Sequence, residues 1–121
     1  MSKKIMLVDD AAFMRMMIKN TLQQNGYTEI VEAENGQRAV DLYSSEKPDL
    51  ILMDITMPVM DGLEALKNLK EVNSSVNVVM CSAMGQEAMV VEALKLGAKD
   101  FIVKPFKPDR IMKTVRSILE P

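Results

Sequence analysis

The sequence predicts an α/β fold built on one open, doubly wound parallel sheet with helices on both faces. Five apolar runs of strand length alternate with longer segments that show helical spacing. Three of these runs are nearly continuous, which is typical of parallel strands covered by helices on both faces. The chain has 121 residues, about half of what a closed eight-stranded barrel needs. We therefore expect residues 1–121 to form one domain with five strands and five helices.

The apolar content of the five runs predicts different degrees of burial for the five strands. The first, third and fourth runs are almost wholly apolar, the second resembles an edge strand, and the fifth is shorter and more amphipathic. Right-handed crossovers between parallel strands then place helices on both faces of the sheet. The five runs are Ile5–Val8, Ile30–Ala33, Leu50–Met53, Val76–Cys81 and Phe101–Val103.

Helix boundaries are marked by capping residues. Asp10 is positioned to cap a first helix over Ala11–Leu22, and Asp61 is followed three positions later by Glu64, as in a capping box. Pro108 suits a first helical turn.

Two of the predicted helices have a recognisable apolar face. The first helix is expected to bury Met14, Met17, Ile18 and Thr21. The fourth is expected to bury Val90, Ala93, Leu94 and Gly97 and to leave Met89 and Leu96 on another face.

Composition limits the classes of partner. Hydrophobic residues make up 48% of the chain and charged residues 26%, and the net charge is −2 without a long run of one sign. This argues against binding to nucleic acid or to a membrane surface, and favours proteins or small ligands as partners. The amino-terminal stretch before Asp9 is too short for a signal peptide. We expect a cytoplasmic protein that acts as a monomer.

The residue inventory also restricts the chemistry. The sequence has no histidine, which excludes a Ser-His-Asp triad, a histidine metal site and phosphohistidine formed on this chain. Its single cysteine, Cys81, lies in an apolar run and is expected to pack as a small hydrophobe. Any reaction must therefore depend on carboxylates, hydroxyls or lysine.

Each candidate reactive group follows a predicted strand. Asp9 and Asp10 follow the first strand, Asp54 the third, and Lys104 the fifth. In open α/β sheets the binding crevice lies beyond the carboxyl ends of the strands. Any one of these residues is more often a helix cap or a turn former. Taken together, however, they predict a shared site.

Converging carboxylates require neutralisation, since each pair repels by a few kcal/mol at roughly 4 Å. Mg²⁺ meets this need because it takes oxygen ligands, commonly one or two carboxylates with waters and phosphate oxygens. Lys104 adds a second positive charge. This combination suits phosphoryl transfer, with Asp54 as the nucleophile and the pair Asp9 and Asp10 as metal ligands.

Five short motifs in order resemble the response-regulator receiver domain over essentially the whole chain. They are Val8-Asp9-Asp10, Met53-Asp54-Ile55-Thr56-Met57-Pro58, Asp61-Gly62, Ser82-Ala83 and Lys104-Pro105-Phe106. The resemblance implies a flavodoxin-like sheet with strand order 2-1-3-4-5. It also implies that Asp54 accepts a phosphoryl group from a histidine kinase, and that the peptide bond between Lys104 and Pro105 is cis.

Further roles follow from the same resemblance. It implies that Ser82 is a switch hydroxyl, Lys104 the family's lysine and Phe101 a switch aromatic that lacks a phenolic hydroxyl. The implied magnesium ligands are Asp9, Asp10, Asp54 and the backbone carbonyl of Thr56.

The similarity is greatest to members that act alone in chemotaxis. Such a protein would bind a flagellar motor switch protein through its fourth helix, fifth strand and fifth helix, and a phosphatase is a further possible partner. It would promote only its own phosphorylation and dephosphorylation. Thr56 and Met84 lie at variable family positions that tune the lifetime of the aspartyl phosphate.

Other readings use the same residues. A receiver of a phosphorelay, or one belonging to a longer transcriptional regulator, would share every motif. An Mg²⁺-dependent aspartyl phosphatase is a different class, but no second acid stands two positions after Asp54 and no cap domain fits this length. A nucleotide-binding switch would need a GxxxxGK loop, which the sequence lacks.

Overall fold

The computed structural model describes residues 2–121 and alternates five strands with five helices, as the sequence predicts. The strands are β1 Lys4–Val8, β2 Glu29–Ala33, β3 Leu50–Asp54, β4 Val78–Ser82 and β5 Asp100–Val103. The helices are α1 Ala12–Gln24, α2 Gly36–Glu46, α3 Gly62–Val72, α4 Glu87–Lys95 and α5 Pro108–Leu119. These boundaries differ from the predicted ones by one or two residues at most ends.

All four strand pairings are parallel, and the strand order is β2-β1-β3-β4-β5. The predicted order and the edge position of the second strand are confirmed. The chain reverses its direction across the sheet between β1 and β3, where Val8 pairs with Met53. Asp9 directly follows β1 and Asp54 ends β3 at this point, which is where open α/β sheets form their binding crevice.

The core consists of two apolar layers separated by the sheet. Alternate strand residues point to opposite faces, so each strand contributes to both layers. Helices α2, α3 and α4 cover one face, where they pack on Met6, Val8, Ile51, Met53, Val78 and Met80. Helices α1 and α5 cover the other face, where they pack on Ile5, Leu7, Leu50, Leu52, Val79, Cys81 and Ile102. This confirms the doubly wound architecture.

Two predicted helix faces need correction. In α1, Met17 is 46% exposed, whereas Ile18 and Leu22 are buried. Methionine also occupies the neighbouring positions, so the pattern offered little contrast between faces. In the fourth helix the prediction for Leu94 and Leu96 is reversed. Leu94 is 41% exposed, while Leu96 packs against the core because it lies beyond the last helical residue.

The capping predictions had mixed outcomes. Asp61 Oδ1 accepts a hydrogen bond from the Glu64 N–H at 2.9 Å, and Pro108 begins α5. Asp10 does not cap α1, whose N-cap residue Ala11 makes no side-chain cap bond. Asp9 Oδ1 instead accepts from the Ala11 N–H at 2.9 Å. No helix between residues 2 and 121 has both the length and the apolar character needed to span a membrane.

Candidate functional site

The predicted reactive residues meet at the carboxyl edge of the sheet. Asp9 directly follows β1, Asp54 ends β3, and Lys104 directly follows β5. Since β4 lies between β3 and β5, the lysine side chain must cross it to reach the acids. The Lys104 backbone N–H donates to the Ser82 carbonyl at 2.7 Å, which fixes the start of this path. The peptide bond between Lys104 and Pro105 is cis, as the resemblance implies.

Three carboxylates and one ammonium form the centre of the site. One carboxylate oxygen from each of Asp9, Asp10 and Asp54 lies within 4.8 Å of the others. Asp9 is 4% exposed, whereas Asp10 is exposed and Asp54 is intermediate. Lys104 Nζ lies 3.1 Å from Asp9 Oδ2 and 3.3 Å from Asp54 Oδ2. One positive charge therefore faces three acids.

Burial and charge act in opposite directions on the site's protons. Burial raises the pKa of Asp54 above its usual value, the nearby Lys104 ammonium lowers it, and the Asp9 carboxylate raises it again. For Lys104, burial lowers the pKa, but the Asp54 and Asp9 carboxylates outweigh this effect and the pKa is raised. The lysine therefore remains charged at neutral pH, while partial burial makes Asp54 take up a proton more readily than an exposed aspartate does.

The donor set of this cluster fits a hard divalent cation. Its three acids supply only oxygen atoms, and Asp10 is open to solvent on one side. Magnesium prefers such a site because it binds one or two carboxylates and keeps several waters. Zinc would instead favour nitrogen or sulfur ligands, and the chain has no histidine while its single cysteine, Cys81, is buried. The residues present therefore suit Mg²⁺.

The position of Asp54 depends on a close contact between its backbone and the start of α3. The Gly62 N–H donates to the Ile55 carbonyl at 2.7 Å. A Cβ atom at Gly62 would lie 2.3 Å from the Asp54 carbonyl oxygen and 2.8 Å from Met80 Cε. Only a residue without a side chain fits at this point, so the motif glycine helps to place Asp54.

The loop from β3 to α3 contains a strained turn. Val59 has φ of 68°, a conformation that β-branched residues rarely adopt, and its side chain is 82% exposed. The Met60 N–H donates to the Pro58 carbonyl at 2.7 Å, which closes a three-residue turn around Val59. The Met60 carbonyl in turn accepts from the Gly36 N–H at 3.0 Å. The loop that follows Asp54 is thus held against α2.

The two predicted switch residues lie on the neighbouring strands β4 and β5. Ser82, at the end of β4, is 1% exposed, and Phe101 in β5 is half-buried. Both line a groove of about 380 Å³ between α4 and β5. The remaining lining residues are Ala83, Met84, Glu87, Val90, Val91, Leu94 and Val103. A displacement of Ser82 or Phe101 would therefore change the shape of this groove.

Sequence reasoning missed a polar contact beside the site. Thr56, predicted only as a source of a backbone carbonyl, is exposed, and its hydroxyl oxygen accepts from Gln86 Nε2 at 2.7 Å. Gln86 Oε1 accepts from the Ala83 N–H at 2.6 Å. A lone glutamine after a glycine in an exposed loop gives no signal of this role. Only the pairing of β3 with β4 brings the three groups together.

Cys81 lies behind the reactive groups in the core. Its partner in the pairing of β3 with β4 is Asp54, and its side chain is 4% exposed. Burial raises the pKa of the thiol to about 12. A neutral buried thiol is a poor nucleophile, so the sequence-based expectation of a packing role agrees with its surroundings.

Comparison with known proteins identifies the family. Residues 5–116 match the response regulator receiver domain. The chain is 54% identical over 119 residues to the chemotaxis protein CheY of Bacillus subtilis, covering 98% of this chain and 99% of that protein. It is 50% identical over 118 residues to the chemotaxis protein CheY of Thermotoga maritima, covering 98% of each.

A solved structure agrees with these sequence relatives. The CheX-CheY-BeF3-Mg²⁺ complex from Borrelia burgdorferi contains a chain that superposes with a TM-score of 0.92 at 34% identity, covering 98% of this chain and 90% of that one. The fold is therefore shared with a solved CheY chain as well as supported by the sequence relatives. The chain belongs to the response regulator receiver domain family and is closely related to CheY.

Proposed function

We propose that the protein is a chemotaxis response regulator that accepts a phosphoryl group on Asp54 from a histidine kinase. The observation that carries the proposal is the convergence of three carboxylates and one ammonium at the switch point of the sheet. Asp54 is the acid that ends a fully buried strand and contacts the Lys104 ammonium. A carboxylate held in this way can act as a nucleophile without a proton acceptor.

In the proposed reaction an Asp54 carboxylate oxygen forms a bond to phosphorus as the bond to the kinase's histidine nitrogen breaks. The product is an aspartyl phosphate on this chain. Lys104 would support the reaction, because its ammonium lies 3.3 Å from Asp54 Oδ2 and can stabilise negative charge on the phosphoryl oxygens. The neighbouring acids Asp9 and Asp10 would otherwise oppose the approach of an anionic phosphoryl group.

Magnesium is the proposed cofactor, and the fit of the donor set supports it. The side chains of Asp9, Asp10 and Asp54 would hold the ion together with the backbone carbonyl of Thr56. When bound, Mg²⁺ supplies positive charge that neutralises the carboxylates and the phosphoryl oxygens. Asp9 contributes further by accepting the Ala11 N–H, which orients its carboxylate toward the site.

The proposed output follows from the groove between α4 and β5. A phosphoryl group on Asp54 adds acceptor oxygens to which the buried Ser82 hydroxyl can donate. We propose that Ser82 then moves toward Asp54 and that Phe101 fills the space it leaves. Both residues line the groove, so its shape would depend on phosphorylation. A flagellar motor switch protein is the proposed partner of this surface.

The wider assignment rests on similarity to stand-alone CheY proteins. The chain covers 99% of the length of the Bacillus subtilis relative. We therefore propose that residues 1–121 act as one receiver domain, as a monomer in the cytoplasm. We further propose that the protein promotes only its own phosphorylation and dephosphorylation, with a phosphatase as a possible further partner.

Phosphorylation of purified protein tests the proposal directly. Incubation with acetyl phosphate and Mg²⁺, followed by intact-mass measurement, should show one phosphoryl adduct on the wild-type protein and none on Asp54→Asn. The matched control Asp41→Asn changes an exposed acid on α2 and should be labelled normally. Steady release of phosphate from small phosphomonoesters would instead indicate an aspartyl phosphatase.

A pull-down tests the partner. The protein should recover a flagellar motor switch component from a cell extract only when beryllofluoride and Mg²⁺ are present, since this pair imitates the aspartyl phosphate. Recovery of a histidine phosphotransfer protein instead would contradict the chemotaxis assignment and favour a phosphorelay.

A further inference from the structure

The Gln86 side chain bridges the two loops that flank Asp54. Its Nε2 donates to Thr56 Oγ1 at 2.7 Å, and its Oε1 accepts from the Ala83 N–H at 2.6 Å. Thr56 stands two residues after Asp54, and Ala83 directly follows β4. Because Asp54 pairs with Cys81 across β3 and β4, the two bonded groups lie at the same edge of the sheet as the proposed phosphorylation site.

Hydrogen-bond chemistry fixes the orientation of this amide. A backbone N–H can only donate, so the atom that faces Ala83 must be the amide oxygen of Gln86. The amide nitrogen then faces Thr56, whose hydroxyl oxygen accepts and keeps its own proton available to donate. Both ends of the amide are therefore used, and the Ala83 N–H is occupied.

The backbone of the loop from β4 to α4 is shaped to allow this contact. Gly85 has φ of +89°, with open space around its Cα, and this left-handed residue turns the chain so that Gln86 returns toward Ala83. The Val90 N–H donates to the Gln86 carbonyl at 3.0 Å, which begins the helical bonding of α4. The Gln86 side chain does not cap α4, because it is engaged elsewhere. The bridge is thus attached directly to the helix that lines the groove.

We infer that Gln86 is a positioning residue whose bridge stabilises the unphosphorylated arrangement of both loops and opposes phosphorylation of Asp54. The inference rests on the proposed function. A phosphoryl group brings up to two negative charges and three acceptor oxygens, which attract the N–H and O–H donors of nearby loops. The Ala83 N–H is such a donor, and it must leave the Gln86 amide before it can bond to a phosphoryl oxygen.

The two loops are therefore in equilibrium between a resting and a phosphorylated arrangement, and the bridge favours the resting one. A ligand shifts such an equilibrium only through its different interaction with the two arrangements, and the same coupling acts in reverse on the ligand's affinity. Removal of contacts present only in the resting arrangement therefore tightens binding of a phosphoryl mimic. The net contribution of one or two neutral hydrogen bonds corresponds to an affinity for the mimic that is about fivefold higher.

Titration with beryllofluoride in the presence of Mg²⁺ tests the inference. Isothermal calorimetry should give an apparent Kd for Gln86→Ala about fivefold below that of the wild-type protein. The matched control Gln24→Ala removes an exposed glutamine at the end of α1 and should leave the Kd unchanged. Circular dichroism of each variant checks that the fold is intact.

A double-mutant cycle identifies the bridge as the cause. Thr56→Val keeps the shape of the side chain but removes the hydroxyl that accepts from Gln86. In that background Gln86→Ala should change the Kd less than it does in the wild-type protein, because the bridge is already weakened. Unchanged or weaker binding by Gln86→Ala, or additive effects in the cycle, would overturn the inference. Failure of the wild-type protein to bind beryllofluoride would contradict the proposed function and the inference with it.

Discussion

Lys104 Nζ lies 3.3 Å from Asp54 Oδ2, so the proposed phosphoryl acceptor is already paired with a cation before any ligand binds. The same ammonium also contacts the buried Asp9 carboxylate at 3.1 Å. In the proposed function, Lys104 competes with the metal ion for carboxylate oxygens and also stabilises the bound phosphoryl group. These two effects predict opposite consequences of removing the charge.

The variant Lys104→Met should separate the two effects. Loss of the ammonium leaves the Asp9 and Asp54 carboxylates less neutralised, so Mg²⁺ should bind about fivefold more tightly by calorimetry. Phosphorylation by acetyl phosphate should slow by at least about tenfold, because charge on the phosphoryl oxygens loses its partner. The control Lys107→Met changes an exposed lysine at the start of α5 and should alter neither quantity. Weaker Mg²⁺ binding by Lys104→Met would refute the competition.

The sequence predicts this centre better than its surroundings, for a physical reason. Parallel strands bring their carboxyl ends to one edge of the sheet, so Asp9, Asp54 and Lys104 lie at the same edge whatever the order of the strands. The Gln86 bridge is different because it joins residues thirty positions apart through loops. The register of Asp54 with Cys81 determines whether those loops meet, and no pattern of residues encodes that register.

The same contrast explains the errors in the helices. The burial of the strands follows from continuous apolar runs, since such a run is buried on both faces of the sheet and no choice of face is needed. In α1 the methionines at positions 14, 16 and 17 fall on several faces, and Met17 is exposed. The predicted position of Leu96 is wrong because its burial depends on where α4 ends. That end is set by the left-handed turn at Gly97, with φ of 104°.

Asp54→Asn should stabilise the metal-free protein at neutral pH. Burial is the largest cause of the raised pKa of Asp54, so the unfolded chain loses this proton at lower pH than the folded protein does. The free energy of unfolding therefore falls as the pH rises through the usual pKa range of aspartate. It stays lower at pH values above the pKa of Asp54 in the folded protein. Urea unfolding should show a higher free energy of unfolding for the variant than for the wild-type protein at pH 7, and no difference at low pH.

Magnesium should reduce this difference, because the ion stabilises the folded wild-type protein by binding its carboxylates. The control Asp41→Asn changes an exposed acid on α2 and should leave unfolding nearly unchanged in every condition. A destabilising effect of Asp54→Asn without metal would contradict the argument from burial.

Gly62→Ala should be among the most damaging small substitutions. The new Cβ would stand 2.3 Å from the Asp54 carbonyl oxygen, so the backbone of the proposed acceptor must move. We expect a loss of about 3 kcal/mol in the free energy of unfolding and slower phosphorylation of the protein that remains folded. Gly26→Ala is the matched comparison, since its Cβ would meet open space and its cost of about 1 kcal/mol comes only from φ of +91°. Equal losses in the two variants would remove the steric argument.

Cys81 should report unfolding and contribute to alkaline instability. Burial raises its pKa from an ordinary value of 9.0 to about 12, so the native thiol should not react with an aromatic disulfide reagent at about pH 8. In urea it should react completely, and an exposed cysteine made by Ser44→Cys should react in the native protein. Because only the unfolded chain ionises this thiol above pH 9, stability should decline toward pH 12, and Cys81→Val should decline less. Rapid native labelling would contradict the assigned burial.

Ser82→Ala should uncouple phosphorylation from output. The hydroxyl lies at the end of β4 in a position that is 1% exposed, and it lines the groove with Phe101. Its loss removes the proposed hydrogen bond to the phosphoryl group, worth about 1.5–3 kcal/mol, which corresponds to a shift of about tenfold or more between the two arrangements. The variant should still form an adduct on Asp54, as intact mass will show, but should bind a motor switch component about tenfold more weakly in beryllofluoride and Mg²⁺. Ser44→Ala, an exposed serine of α2, is the control. Unchanged phosphate-dependent affinity in Ser82→Ala would mean that the signal reaches the groove by a route that does not use this hydroxyl.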